Sequence, residues 1–142
     1  MSRVKYKIFG HTADVGLYVY GGNMRELFAN AAEGLMSLQV DTKTIRPVRE
    51  TSISLEAEGS EALLRGWLAE LLYLYSGEKM LAAEVEFLSL GERSLEAVVR
   101  GEILDQSRHE IKTEVKAVTW HGLKIERDKK KGRLKATLVL DV

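Results

Sequence analysis

Val4-Lys5-Tyr6-Lys7-Ile8-Phe9-Gly10-His11-Thr12-Ala13-Asp14-Val15-Gly16-Leu17-Tyr18-Val19-Tyr20 is the stretch on which the rest of the chain depends. Val4, Tyr6 and Ile8 alternate with Lys5 and Lys7, and Val15, Leu17 and Val19 alternate with Gly16, Tyr18 and Tyr20. Apolar residues at every second position predict two strands, each with one buried face. The segment between them is then a tight connection, with Gly10 and Gly16 allowing a sharp turn or a close approach. It carries His11, Thr12 and Asp14 within four positions. A carboxylate and an imidazole on a short loop suit a cation or a proton transfer. The same residues also suit a plain turn, with Asp14 capping its own backbone and His11 solvated.

Outward from this hairpin the period changes. Asn23 with Glu26 three residues on has the spacing of a capping box. Met24, Leu27, Phe28, Ala31, Leu35 and Leu38 then follow helical spacing, which predicts a helix over 24–38. A polar connection ends at Pro47, and Ile53, Leu55 and Ala57 predict a strand. Ser60 suits the N-cap of a second helix over 61–76, with Gly77 as its stop. Leu63, Leu64, Trp67, Leu68, Leu71, Leu72, Leu74 and Tyr75 make that helix apolar around much of its circumference, so it should be buried on two sides.

From Met80 the period returns to two. Leu81, Ala83, Val85 and Phe87 share one face, Gly91-Glu92 makes a turn, and Leu95, Ala97 and Val99 return. Residues 105–112 break the pattern with charged side chains. Val115, Ala117 and Thr119 predict a further strand, Leu123 and Ile125 another. The lysines at 129–131 sit in a hairpin tip, before a last strand with Leu134, Ala136, Leu138 and Leu140 on one face. Strand runs around two main helices, without regular βαβ alternation, predict one α+β domain over residues 1–142 with a mixed or antiparallel sheet.

Composition narrows the function. The chain has 142 residues, enough for one real core, and 45% of them are hydrophobic, so it should fold. Lys plus Arg and Asp plus Glu balance at 21 each, which provides no overall field for nucleic acid. The absence of cysteine excludes disulfides, thiolate zinc sites and a cysteine nucleophile. No apolar run has the length of a bilayer span and the N-terminus lacks a signal-peptide core, so a cytoplasmic protein without membrane contact is expected. Gly21-Gly22 lacks the pattern of a phosphate loop, and no serine sits in a nucleophile elbow.

One carboxylate constellation remains. Asp141 points away from the Leu138 and Leu140 side of the last strand, with the Val142 α-carboxylate beside it. A third carboxylate nearby would make a hard-cation site, and Asp14 is the candidate. A divalent cation would relieve the repulsion of such a cluster. His109 and Glu110, in the charged 105–112 stretch, are candidates for acid–base work or partner contact, although a solvated loop is the commoner use of such residues. His11 is expected to support the site or face a partner, because calcium prefers oxygen donors.

His11-Thr12-Ala13-Asp14-Val15-Gly16, Val115-Lys116-Ala117-Val118-Thr119-Trp120-His121 and the closing Leu140-Asp141-Val142 together resemble the signatures of the archease family, in order and spacing across essentially the whole chain. The resemblance implies an accessory protein and not an enzyme. Archeases assist the tRNA-splicing RNA ligase that joins a 2′,3′-cyclic phosphate or 3′-phosphate end to a 5′-hydroxyl end, promoting its guanylylation and multiple turnover. It also implies a bound divalent cation, calcium, with Asp14, Asp141 and Val142 as ligands. His11 and Lys116 match motif positions without a defined role. The family fold implies an α+β body with a small β-rich part, expected in or near 80–105. Two other readings stand beside this one. The first is a cation-dependent phosphoester hydrolase using Asp14, Asp141 and His109, and the second is a general protein chaperone module.

Overall fold

The order of elements follows the sequence pattern closely. The computed structural model describes residues 4–10 and 14–142. Strands β1 (Tyr6–Gly10) and β2 (Asp14–Gly21) form the opening hairpin, followed by helix α1 (Met24–Gln39) and a 3₁₀ turn at Thr42–Thr44. Then come β3 (Arg49–Glu56), helix α2 (Ser60–Glu78), β4 (Met80–Leu90), β5 (Ser94–Ile103), β6 (Ala117–Val118), β7 (Lys124–Asp128) and β8 (Arg133–Asp141). Every pairing among the described residues is antiparallel. One sheet runs β1-β2-β8-β6 with β7 also paired to β8, and a second runs β3-β5-β4.

Both helices touch both sheets. Helix α1 packs on β1, β2 and β8 and also on β4, while α2 packs on β3, β4 and β5 and also on β6 and β7. A helix layer held on two sides explains why α2 is apolar around most of its circumference. A single hydrophobic cluster therefore joins Leu17 and Val19 of β2, Leu35 of α1, Trp67 and Leu71 of α2, Val99 of β5 and Leu138 of β8. The tie between the helices is specific: Trp67 Nε1 donates to the Phe28 carbonyl at 3.0 Å, and the Phe87 ring lies 5.0 Å from Trp67. The β4–β5 hairpin falls where a small β-rich part was expected. It shares its sheet with β3, from before α2, and its core is continuous with the rest.

The capping box at α1 is formed, with a shift. Asn23 Oδ1 accepts from the Glu26 N–H at 2.9 Å, while Glu26 Oε1 accepts from the Gly22 N–H at 3.2 Å. Four local expectations need correction. Helix α2 begins at Ser60 itself, and its N-cap is Gly59, without a side-chain cap bond. Gly77 does not stop the helix; Lys79 does, in the left-handed region at φ 58°, with its ammonium 5.0 Å from the Tyr75 ring. Leu81, Ala83, Val85 and Phe87 do not share one face, because β4 is irregular between Ala82 and Glu84. Before that shift Met80 and Ala82 face the main core while Leu81 and Ala83 face a second cluster with Val40 and Ile45. One extra residue in a strand reverses the parity of everything after it. Finally, the strand expected over Val115–Thr119 shortens to the two residues of β6.

The loop between β5 and β6 is pinned by a buried polar network. Glu102 accepts from the Arg46 N–H at 2.7 Å, from Arg108, and from His109 Nε2 at 3.0 Å. The Asp105 N–H donates to His109 Nδ1 at 2.9 Å, so the ring's hydrogen sits on Nε2. Burial alone would raise the Glu102 carboxyl, but the Arg46 N–H, Arg108 and His109 outweigh it and hold the group below its usual range. A carboxyl lowered on folding gives stability that is present above its unfolded value, about 4.3, and lost as the pH falls through the folded value. Glu102→Gln should therefore cost about 2 kcal/mol at neutral pH. Thermal unfolding against pH checks this: the gap between variant and wild type should close toward acid, and a gap constant with pH would refute the assignment.

Candidate metal centre

The site is built where the first and last long strands meet. Strand β2 pairs along its whole length with residues 134–141 of β8, and the register sets Asp14 directly opposite Asp141. Directly opposed residues in an antiparallel pair project to the same face, with Cβ atoms roughly 4.5–5.5 Å apart. The neighbouring pair Val15 and Leu140 points into the core, which fixes both aspartates outward. Both are exposed. On the other side of β8, Ala117 of β6 lies opposite Asp141, and the Lys116 N–H donates to the Asp141 carbonyl at 2.7 Å. Val142 packs part of its side chain on the core, which holds the end of β8 in place.

The hairpin leading to Asp14 is shaped by two glycines. Gly10 sits at φ 110°, a backbone region that side chains rarely adopt. A Cβ on Gly16 would fall 2.0 Å from the Phe9 ring, which lies over it and stacks on Tyr18 at 4.2 Å. Lys135 reaches the Tyr18 ring at 4.2 Å, and Arg133 covers Tyr20 at 3.9 Å. This outer face of the sheet locks the strand that presents Asp14.

Electrostatically the pair is uncompensated among the described residues. Neither Asp14 nor Asp141 takes part in an ion pair among the described residues. Like charges opposed across a strand pair are destabilising. No group of three or more His, Asp or Glu side chains converges among the described residues, so the candidate donors among them are two carboxylates and whatever the backbone at Val142 adds. Such oxygen donors suit a hard divalent cation and give a soft metal nothing to prefer.

The other residues singled out from the sequence are not gathered here alike. His11 lies outside the described residues. Lys116 is exposed and adjoins the site through its backbone. Glu110 is exposed in the 105–116 loop. His109 needs correction: it is only 4% exposed, and both ring nitrogens are engaged within the Glu102 network, so it offers neither a partner surface nor a free base. That also removes the third member of the hydrolase reading. Sequence reasoning missed the groove between α2 and residues 114–118, of about 300 Å³. The only available signal was a set of basic residues, Arg65, Lys79 and Lys116, far apart in the chain. No helix among the described residues is long and apolar enough to cross a membrane.

The model of the archease protein family matches residues 6–142 of this chain. A protein archease of Sulfurisphaera tokodaii is 36% identical over 124 residues, which cover 86% of this chain and 88% of that one. That of Methanosarcina mazei is 34% identical over 142 residues, covering 97% and 96%. The solution structure of protein 1598 of Methanobacterium thermoautotrophicum superposes with a TM-score of 0.80 at 30% identity, covering 97% of this chain and 99% of that one. The crystal structure of a Thermotoga maritima archease, described as a possible chaperone, shares the fold with a TM-score of 0.66 at 22% identity.

Proposed function

The chain belongs to the archease family, and on that footing we propose that it is a metal-binding accessory protein that activates a tRNA-splicing RNA ligase. The observation that carries this reading is the register of Asp14 against Asp141. Two signature carboxylates far apart in the chain, facing each other without a counter-charge among the described residues, are a poor structural device and a good cation holder. Asp14, Asp141 and the Val142 carboxylate or carbonyl would hold the ion, calcium by donor type. Bound there, it would supply positive charge toward a phosphate group. The chain's own residues supply rigidity: the Phe9–Tyr18 stack fixes β2, and the Lys116 N–H fixes the Asp141 backbone.

A general protein-binding role is the second reading, and the description of the Thermotoga structure as a possible chaperone favours it. One assay separates the two. The partner ligase is incubated with GTP, with and without this protein, and guanylylated ligase is counted together with rounds of RNA joining. Activation predicts faster guanylylation and repeated turnover at substoichiometric amounts of this chain. Identical ligase behaviour with and without it would overturn the proposal.

A further inference from the structure

The groove between α2 and residues 114–118 combines two features that point to one kind of occupant. The first is charge. Arg65, Lys79 and Lys116 line it, and none of the three lies within ion-pair distance of a carboxylate among the described residues. Arg65 instead stacks on Trp120 at 4.5 Å, and its buried Nε has no hydrogen-bond partner. Glu114 is the one acidic residue in the lining, set against three cations. Arg65 lies in the second turn of α2 and Lys79 just past its C-terminal end, roughly 21 Å apart along the axis, so the groove is long.

The second feature is backbone. Strand β6 is an edge of its sheet, paired on one side to β8. In the residues leading into it, Thr113, Glu114 and Val115 have N–H and C=O groups without a backbone partner among the described residues. An unpaired run of donors and acceptors at a sheet edge is a template for another strand. A nucleic acid offers no matching ladder of N–H and C=O groups, whereas an extended peptide does. The floor, with Leu72 and Val118, would take that peptide's alternate side chains.

We propose that this groove binds an extended acidic segment of a partner protein, which adds as a strand beside residues 113–118 while its carboxylates meet Arg65, Lys79 and Lys116. The inference stands apart from which activity the partner carries, so it survives or fails independently of the ligase assay.

The test uses the full chain and a short fluorescent peptide in which acidic residues alternate with valine. A second peptide has lysine in place of each acid, and a third probe is a short labelled oligoribonucleotide. Fluorescence anisotropy should show the acidic peptide binding at least about tenfold more tightly than the lysine peptide, with Lys116→Glu removing that preference. Arg65→Glu should act in the same direction. Amide hydrogen exchange provides the location: protection should rise at 113–118 on peptide binding. Several outcomes overturn the proposal. They are no binding of the acidic peptide, equal binding by Lys116→Glu, protection mapping elsewhere, and protection at 113–118 produced by the oligoribonucleotide. Protection there that grows with the chain's own concentration would assign the groove to a second copy and overturn it as well.

Discussion

Asp14→Ala is expected to abolish the stabilisation that calcium gives the wild type while leaving the metal-free protein as stable as before or slightly more so. Asp14 is exposed at the start of β2 and belongs to none of the apolar clusters. Removing it deletes one of two like charges that face each other across the sheet, a change of roughly 0.2–1 kcal/mol in favour of folding. A ligand that binds only the folded state at a hundredfold excess over its dissociation constant stabilises by about 2.7 kcal/mol, a rise of roughly 10 °C in melting temperature for a chain of this size. The wild type should show that rise, and Asp14→Ala and Asp141→Ala should not. Melting curves with and without calcium, run beside the ligase assay, give the answer. An Asp14→Ala protein that gains no stability from calcium and still activates the ligase fully would separate the metal site from the mechanism.

Trp67→Ala should have the largest effect on folding. Trp67 is fully buried in α2, packs on Phe87, and donates its indole N–H to the Phe28 carbonyl in α1. Truncation leaves a cavity where the helix layer meets both sheets and removes the side-chain hydrogen bond that ties α2 to α1. Loss of a buried aromatic of this size costs about 3–5 kcal/mol, which lowers the melting temperature by roughly 10–15 °C. Trp67→Phe keeps most of the volume and gives up only the hydrogen bond, so it should cost about 1–2 kcal/mol. Urea unfolding of the three proteins checks the ranking. A Trp67→Ala protein with an unchanged midpoint would mean that the two helices are held together elsewhere.

The sequence was most informative where one physical cause dominated. Leu134, Ala136, Leu138 and Leu140 alternate strictly, and β8 buries all four. Asn23 and Glu26 mark the start of α1 because a helix N-terminus has few other ways to satisfy its donors. Reading failed where causes compete. At the end of α2, Gly77 is the better residue for a left-handed stop, yet Lys79 takes that position, where its N–H bonds the carbonyls of Leu74 and Tyr75. In β4 the irregularity after Ala82 is invisible in composition, because alanine fits either face. In its charged run His109 reads as a solvated loop residue or a candidate for acid–base work. Only the fold shows Glu102, from seven residues earlier, closing over it. The aspartates at 14 and 141 were readable as a pair from the motifs, whereas the groove beside Lys116 needed three dimensions.

The placement of β8 has a consequence for how the protein is made. This strand joins β2, β6 and β7 into one sheet, and it is the last element in the chain. At about 5–20 residues per second of synthesis, Asp14 leaves the ribosome roughly 6–25 s before Asp141 can reach it. Throughout that interval the β1–β2 hairpin carries an open strand edge beside Leu17 and Val19, the kind of edge that recruits the wrong partner. Only when β8 slots in does that edge close, and the same event brings the two carboxylates face to face. The facing carboxylates of Asp14 and Asp141 are thus a product of that last pairing, and a chain in which β8 has not docked does not hold them together.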